Sequence, residues 1–139
     1  MPVPRRPAIV SIVAAFLAAA AMIALVTGIT LLIPRTPLDQ IWQLNPAAHQ
    51  AFAAAGRASG SGLLALACAV ALAAKGLLNG RRWAWQLTIL LFALNGMGDL
   101  VSLFLTRDRI RGASGILVAG GFLFLLLRPS VRTLFAGPA

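Results

Sequence analysis

The feature that most constrains this chain is a set of four long apolar runs, at residues 8–33, 57–79, 83–106 and 110–128. A helix needs about 20 predominantly apolar residues to cross the hydrocarbon core of a bilayer. All four runs approach or exceed that length, and the first is too long to be the apolar region of a secretory signal. The sequence therefore predicts an all-α membrane protein, a bundle of four transmembrane helices that forms a single polytopic domain over residues 1–139.

The charged residues agree with this prediction, because they are few and, apart from Asp99, stand at or near the ends of the apolar runs. Only 11% of the residues are charged, against about 25% in a typical soluble domain. Twelve are Lys or Arg, whereas three are acidic and all of those are Asp. Cations at span ends are typical topology signals and contacts for anionic lipid headgroups, so the bilayer is the expected partner and nucleic acid is not.

The distribution of Lys and Arg predicts the orientation of the chain in the membrane. Seven lie on the side of the amino terminus: Arg5, Arg6, Lys75, Arg81, Arg82, Arg128 and Arg132. Five lie on the opposite side: Arg35, Arg57, Arg107, Arg109 and Arg111. This excess predicts that both termini are cytoplasmic, in a membrane that we expect to be a bacterial inner membrane.

The segment between the first two runs is predicted to hold a short interfacial helix over about residues 37–45. Thr36-Pro37-Leu38-Asp39 combines an N-cap residue, a first-turn proline and an acid at the third position, which favours a helix start. Trp42 would then stand at the level of the headgroups. Asn45-Pro46 ends this helix and can cap a further one that carries His49 and, in one alternative, runs straight into the second span.

The third run carries a seam of polar side chains and the only acidic residue that lies inside an apolar run. At 100° per residue, five polar residues fall within an arc of about 60°: Thr88, Asn95, Asp99, Ser102 and Thr106. A carboxylate in hydrocarbon costs about 2.5–3.5 kcal/mol, so such residues face protein or water and mark function. The alternative is that Asn95 and Asp99 only hold helices together.

A second polar seam, on the second run, leads to the most specific functional hypothesis. A tight basic turn joins the second and third runs, so they are expected to be antiparallel neighbours with Asp99 level with Ser61. Arg57 is then the expected ion-pair partner of Asp99, with Arg109 or Arg111 as alternatives. A ligand-binding pocket open to the non-cytoplasmic side would be lined by Asp99, Asn95, Arg57, Ser61, Ser102 and His49.

The residue types exclude several chemistries. The chain has one His, one Cys and no Glu, which leaves too few ligands for an HExxH zinc site, a Cys/His zinc cluster or a two-His haem site. Spacing gives no Ser-His-Asp, Cys-His or paired-carboxylate arrangement either. We therefore predict that the protein is not an enzyme and has no catalytic residue, metal site or cofactor.

Three functions compete on these observations. We favour a non-enzymatic helical bundle that acts as a partner subunit or scaffold, with a second copy of the chain or another membrane protein as its partner. The alternative is a transporter or ligand-binding membrane protein whose pocket surrounds Asn95 and Asp99. The third is a small intramembrane enzyme that acts on lipid, for which Ser61, Cys68 and Asp99 offer no complete catalytic set.

Overall fold

The computed structural model describes residues 6–105 and 109–137 of the chain. Within these residues the protein is all-helical, as the sequence predicts, with one 3₁₀ helix at Pro37–Leu44 and no strand. The α-helices, numbered α1 to α6, are Ala8–Leu32, Pro46–Ala54, Arg57–Leu78, Arg82–Leu105, Arg109–Leu126 and Pro129–Phe135. Arg5, Thr106 and Arg107, which entered the predictions above, lie outside the described residues.

Four of these helices are long and apolar enough to cross a membrane. They are α1, α3, α4 and α5, with 25, 22, 24 and 18 residues. Each begins and ends within two residues of a predicted apolar run. By length and composition the chain is therefore consistent with a multi-pass membrane protein.

The segment between α1 and α3 folds into two separate helices. The 3₁₀ helix occupies the predicted position, and its start is fixed by Asp39, whose carboxylate accepts the backbone N–H of Arg35 at 2.8 Å and of Thr36 at 3.2 Å. The Asn45 side-chain oxygen accepts the N–H of Ala48 at 3.1 Å and caps α2. Gly56, with φ of +62°, separates α2 from α3, because a left-handed residue ends a helix. The alternative of one helix running straight into the second span is therefore wrong.

Contacts between Cα atoms divide the chain into two compact units. The first unit comprises the described residues up to Ala15 and those from Ala73 onward, and the second comprises Phe16–Leu72. Helices α1 and α3 each contribute residues to both units. The prediction of a single domain over 1–139 stays a prediction.

In the second unit, α1 and α3 approach each other at two glycines. A methyl group added to Gly28 would lie 3.0 Å from the Leu64 side chain and 3.1 Å from the carbonyl oxygen of Gly60. One added to Gly60 would lie 2.8 Å from the Leu32 side chain. Small residues let helix backbones come close, which is how helices in a membrane gain packing energy.

In the first unit, a tight corner joins α3 to α4. The N–H of Arg81 donates to the carbonyl of Gly76 at 2.9 Å, and the N–H of Gly80 donates to that of Leu77 at 3.0 Å. Gly80 has φ of +68°, so the corner is a Schellman motif with glycine at its left-handed position. This is the tight basic turn that the sequence predicts.

The residues after α5 form a short helix where the sequence suggests only a basic tail. Helix α6 starts at Pro129, and its Val131 and Phe135 are buried. The Phe135 ring stacks on Trp85 of α4 at 6.2 Å between centroids. The Trp85 indole N–H also donates to the carbonyl of Leu126 at 3.1 Å. Burial of Val131 and Phe135 is the reason that the segment is helical.

Candidate functional site

Asn95 and Asp99 form a hydrogen-bonded polar pair on α4. The Asn95 side-chain amide donates to Asp99 Oδ2 at 3.0 Å across one helical turn. Asn95 is exposed and Asp99 is half-buried. At a rise of about 1.5 Å per residue, Asp99 lies about 9 Å and Asn95 about 15 Å before the end of α4 at Leu105. The pair therefore stands within the body of a helix that is long enough to cross hydrocarbon.

The Asp99 carboxylate lies directly against the backbone of α5 at Gly115. A methyl group added to Gly115 would overlap Oδ2 of Asp99. One turn earlier, a methyl group on Gly112 would lie 3.2 Å from the Asp99 carbonyl oxygen and 3.2 Å from Leu103. Two glycines of α5 thus hold α4 close and leave room for the carboxylate. Sequence reasoning missed this contact, because helical arithmetic places residues on one helix without saying which faces of two helices meet.

The predicted seam of α4 does not share one environment. Thr88 is fully buried, and its hydroxyl donates to the carbonyl of Ala84 on its own helix at 2.7 Å. Asn95 and Ser102 are exposed on the same helix. The buried end of the seam is therefore satisfied within α4, whereas Asn95 and Ser102 lie on the exposed surface of the helix.

Arg57 and Ser61 lie together on α3, in the second unit. Both are exposed, and the Ser61 hydroxyl is within hydrogen-bond distance of the carbonyls of Arg57 at 3.0 Å and Ala58 at 3.2 Å. Asp99 belongs to the first unit, so its pairing with Arg57 stays a prediction. The alternative pairings of Asp99 with Arg109 or Arg111, and the six-residue pocket, also stay predictions.

His49 belongs to an aromatic cluster centred on Trp42. The two ring centroids are 4.8 Å apart, and the Phe52 ring lies 6.3 Å from Trp42. Trp42 is only 8% exposed, and its indole N–H donates to the Thr30 hydroxyl oxygen at 2.8 Å. The Thr30 hydroxyl in turn donates to the carbonyl of Thr27 at 2.8 Å. This chain of hydrogen bonds ties the 3₁₀ helix to the last turns of α1.

Trp42 lines two cavities, and both lie within the second unit. The first has a volume of about 420 Å³, and its polar lining includes Arg35, Asp39 and His49. The second has a volume of about 500 Å³ and is lined mainly by apolar side chains of α1, the 3₁₀ helix and α2. Neither cavity is lined by Asn95 or Asp99.

The sequence singled out Trp42 and His49 one by one but did not predict that they touch. It also missed Arg35, which has φ of +70°, an uncommon backbone conformation for a residue other than glycine. The available signal was Pro34-Arg35-Thr36-Pro37, where two prolines restrict the chain at a helix end. Within residues 6–105 and 109–137, no group of three or more His, Cys, Asp and Glu residues is placed to hold a metal ion.

Comparisons of the chain with protein-family models, with curated proteins and with solved structures found no match.

Proposed function

We propose that this protein is a non-enzymatic multi-pass membrane protein that acts as a partner subunit. Its α4 would hold a transmembrane helix of another protein, or of a second copy of the chain, in a bacterial inner membrane with both termini cytoplasmic. The observation that carries the proposal is the Asn95–Asp99 pair in the body of α4, where Asn95 is exposed.

The polar pair is costly wherever it faces lipid. A carboxylate in hydrocarbon costs about 2.5–3.5 kcal/mol, and polar groups there need partners inside the protein. The bond from Asn95 to Asp99 uses one amide hydrogen and one carboxylate oxygen. The Asn95 amide can make further hydrogen bonds, as can the carboxylate. A neighbouring helix that supplies donors and acceptors would gain about 0.6–2 kcal/mol per polar contact.

The burial of the four long helices points to the same helix, α4. In α1 and α3, 33% of the most apolar stretch is buried within the protein, whereas in α4 the share is 11%. Exposed apolar side chains are ordinary on a lipid-facing helix, but an exposed amide beside a carboxylate is not. The least covered of the long helices is thus the one that carries the polar pair.

Photo-crosslinking in native membranes tests this proposal. A photoreactive phenylalanine analogue replaces Gly98, which lies between Asn95 and Asp99 in the sequence and has open space around it. We expect it to crosslink a transmembrane helix, identified by mass spectrometry as another protein or a second copy. The double variant Asn95→Leu with Asp99→Ala should reduce that crosslink about tenfold, because two or more polar contacts are lost.

A matched control uses the same spacing on another face of α4. Leu100→Ala with Phe104→Ala removes two exposed apolar side chains one turn apart, and it should leave the crosslink within about twofold. If position 98 labels only lipid, or if both double variants weaken the crosslink equally, the polar pair does not recognise a partner helix.

The same proteins separate this function from a ligand pocket around Asn95 and Asp99. A pocket would appear as a small molecule that raises the melting temperature of the wild-type protein in detergent and leaves Asp99→Asn unchanged. A partner subunit predicts no such shift across a panel of small ligands. Such a shift in the absence of a helix crosslink would favour the ligand-binding function.

A further inference from the structure

The two cavities at Trp42 differ in polarity, and Trp42 lines both of them. The charged or polar side chains of Arg35, Asp39 and His49 line part of the first cavity, which we call the polar chamber. The second, which we call the apolar chamber, is lined mainly by apolar side chains such as those of Ile23, Ala24 and Phe52. Volumes of about 420 and 500 Å³ fall within the range of about 300–1,000 Å³ that is usual for small-molecule sites. Adjacent polar and apolar chambers fit a ligand that is itself polar at one end and apolar at the other.

The polar chamber favours an anion. Its one carboxylate, that of Asp39, accepts the backbone N–H groups of Arg35 and Thr36, which partly offset its negative charge. Arg35 adds a guanidinium with five N–H donors, whose planar fork matches the oxygens of a phosphate. The His49 imidazole, held against Trp42, carries at least one further N–H donor in either protonation state.

The order of the chambers along α1 matches the order of a lipid in a bilayer. Thr30, Pro34 and Arg35, at and just past the end of α1, line the polar chamber. Ala20 and Ala24 line the apolar chamber, about 18 and 12 Å back from Leu32 along the helix axis. If α1 spans the membrane, the polar chamber faces the water side and the apolar chamber faces the hydrocarbon.

The backbone at Arg35 supports a role for its side chain. A residue with a Cβ at φ of +70° is in a conformation that glycine adopts more readily. Such conformations persist where the surroundings fix them, and they cluster at functional sites. Here the surroundings are Pro34 on one side and the hydrogen bond from the Arg35 N–H to Asp39 on the other.

We propose that the pocket around Trp42 binds one phospholipid. Arg35 and His49 hold its phosphate in the polar chamber, and one acyl chain lies in the apolar chamber. The Trp42 indole, anchored to Thr30, separates the two. This site lies in the second unit and does not depend on the partner surface proposed for α4.

Native mass spectrometry of the full-length protein in detergent tests the site with two lipids that share their acyl chains. Phosphatidic acid should remain bound at low micromolar concentration, and diacylglycerol, which lacks the phosphate, should bind at least tenfold more weakly. Arg35→Gln should weaken phosphatidic acid binding about tenfold, because a charge-assisted bidentate contact is lost. The matched control Arg132→Gln removes an exposed arginine elsewhere, and it should change binding less than twofold.

The apolar chamber has its own pair of variants. Ala24→Phe fills the chamber and should weaken phosphatidic acid binding about tenfold. Ala19→Phe adds the same side chain at an exposed position of α1, and it should have less than a twofold effect. Inorganic phosphate should fail to displace the lipid, because it cannot use this chamber.

Tryptophan fluorescence tests the site without substituting any residue that lines the two cavities. With Trp83→Phe and Trp85→Phe, Trp42 is the only tryptophan, and phosphatidic acid with a brominated chain should quench it at a stoichiometry of about one. Three outcomes would each overturn the proposal. The first is that brominated diacylglycerol quenches Trp42 as strongly as the brominated phosphatidic acid does, and the second is that inorganic phosphate abolishes binding of the lipid. The third is that Arg35→Gln and Arg132→Gln weaken binding equally. Loss of lipid binding in the presence of inorganic phosphate would identify a site for free phosphate.

Discussion

At the scale of single residues, the contact between Asp99 and Gly115 decides how closely α4 and α5 can pack. The carboxylate occupies the space where any other residue at position 115 would place its Cβ. We predict that Gly115→Ala lowers the free energy of unfolding by about 1–3 kcal/mol, the usual cost of overpacking. Unfolding in mixed detergent micelles, followed by circular dichroism, measures this change.

Two further variants show whether the carboxylate is the cause. Gly121→Ala is the matched control on α5, because a methyl group there meets nothing within 4 Å. It should be neutral or stabilise the helix by up to about 1 kcal/mol. In the background of Asp99→Ala, the cost of Gly115→Ala should fall below about 0.5 kcal/mol. An unchanged cost in that background would mean that the overlap with Asp99 is not what limits packing.

At the scale of helices, the 3₁₀ helix is held to α1 by the hydrogen bond from the Trp42 indole to Thr30. We predict that Thr30→Val lowers the free energy of unfolding by about 1–3 kcal/mol, because a nearly buried indole N–H loses its acceptor. Backbone amides of residues 37–44 should then exchange with deuterium faster, which mass spectrometry of proteolytic fragments can measure.

The control for this prediction is Thr27→Val, one turn earlier on the same helix. The Thr27 hydroxyl bonds to backbone carbonyls of α1, those of Ile23 and Ala24, so its loss should cost less than about 0.5 kcal/mol. Exchange in residues 37–44 should stay at the wild-type rate. If both variants loosen these amides equally, the hydrogen bond to Trp42 is not the anchor.

The helices show which features a sequence can predict. Apolar run length is a local property, so the bounds of α1, α3, α4 and α5 were predictable to within two residues. The Asn45 cap and the start at Asp39 were predictable for the same reason. Helix α6 was not, because its seven residues are helical through burial of Val131 and Phe135, the latter against Trp85.

In the candidate sites too, features within one helix were predictable from the sequence, whereas contacts between helices were not. The spacing of Asn95 and Asp99 predicts that they share a helix face, and the structure adds the hydrogen bond between them. The contacts of Asp99 with Gly115 and of Trp42 with Thr30 and His49 join different helices. Helical periodicity fixes the direction of a side chain on its own helix, but it does not say which faces of two helices meet.

At the scale of the whole molecule, the sequence predicts the direction in which the chain crosses the membrane. Seven Lys and Arg residues lie on the amino-terminal side of the predicted spans and five on the other. Removing charge from Arg81 and Arg82, at the corner between α3 and α4, leaves five on each side. We predict that Arg81→Gln with Arg82→Gln produces a mixture of both orientations, because the positive-charge bias is the dominant topology signal.

Labelling with a maleimide that cannot cross membranes measures the orientation in whole cells. In a Cys68→Ala background, which removes the only cysteine, Ser130→Cys should be protected and Gln43→Cys should be labelled. In the double variant at 81 and 82, the maleimide should label about half of the molecules whether the cysteine is at position 43 or at position 130. The matched control, Arg109→Gln with Arg111→Gln, widens the bias to seven against three and should keep the original orientation. Since both double variants remove two charges, equal labelling of the two would show that the number of charges, and not their side, sets the outcome.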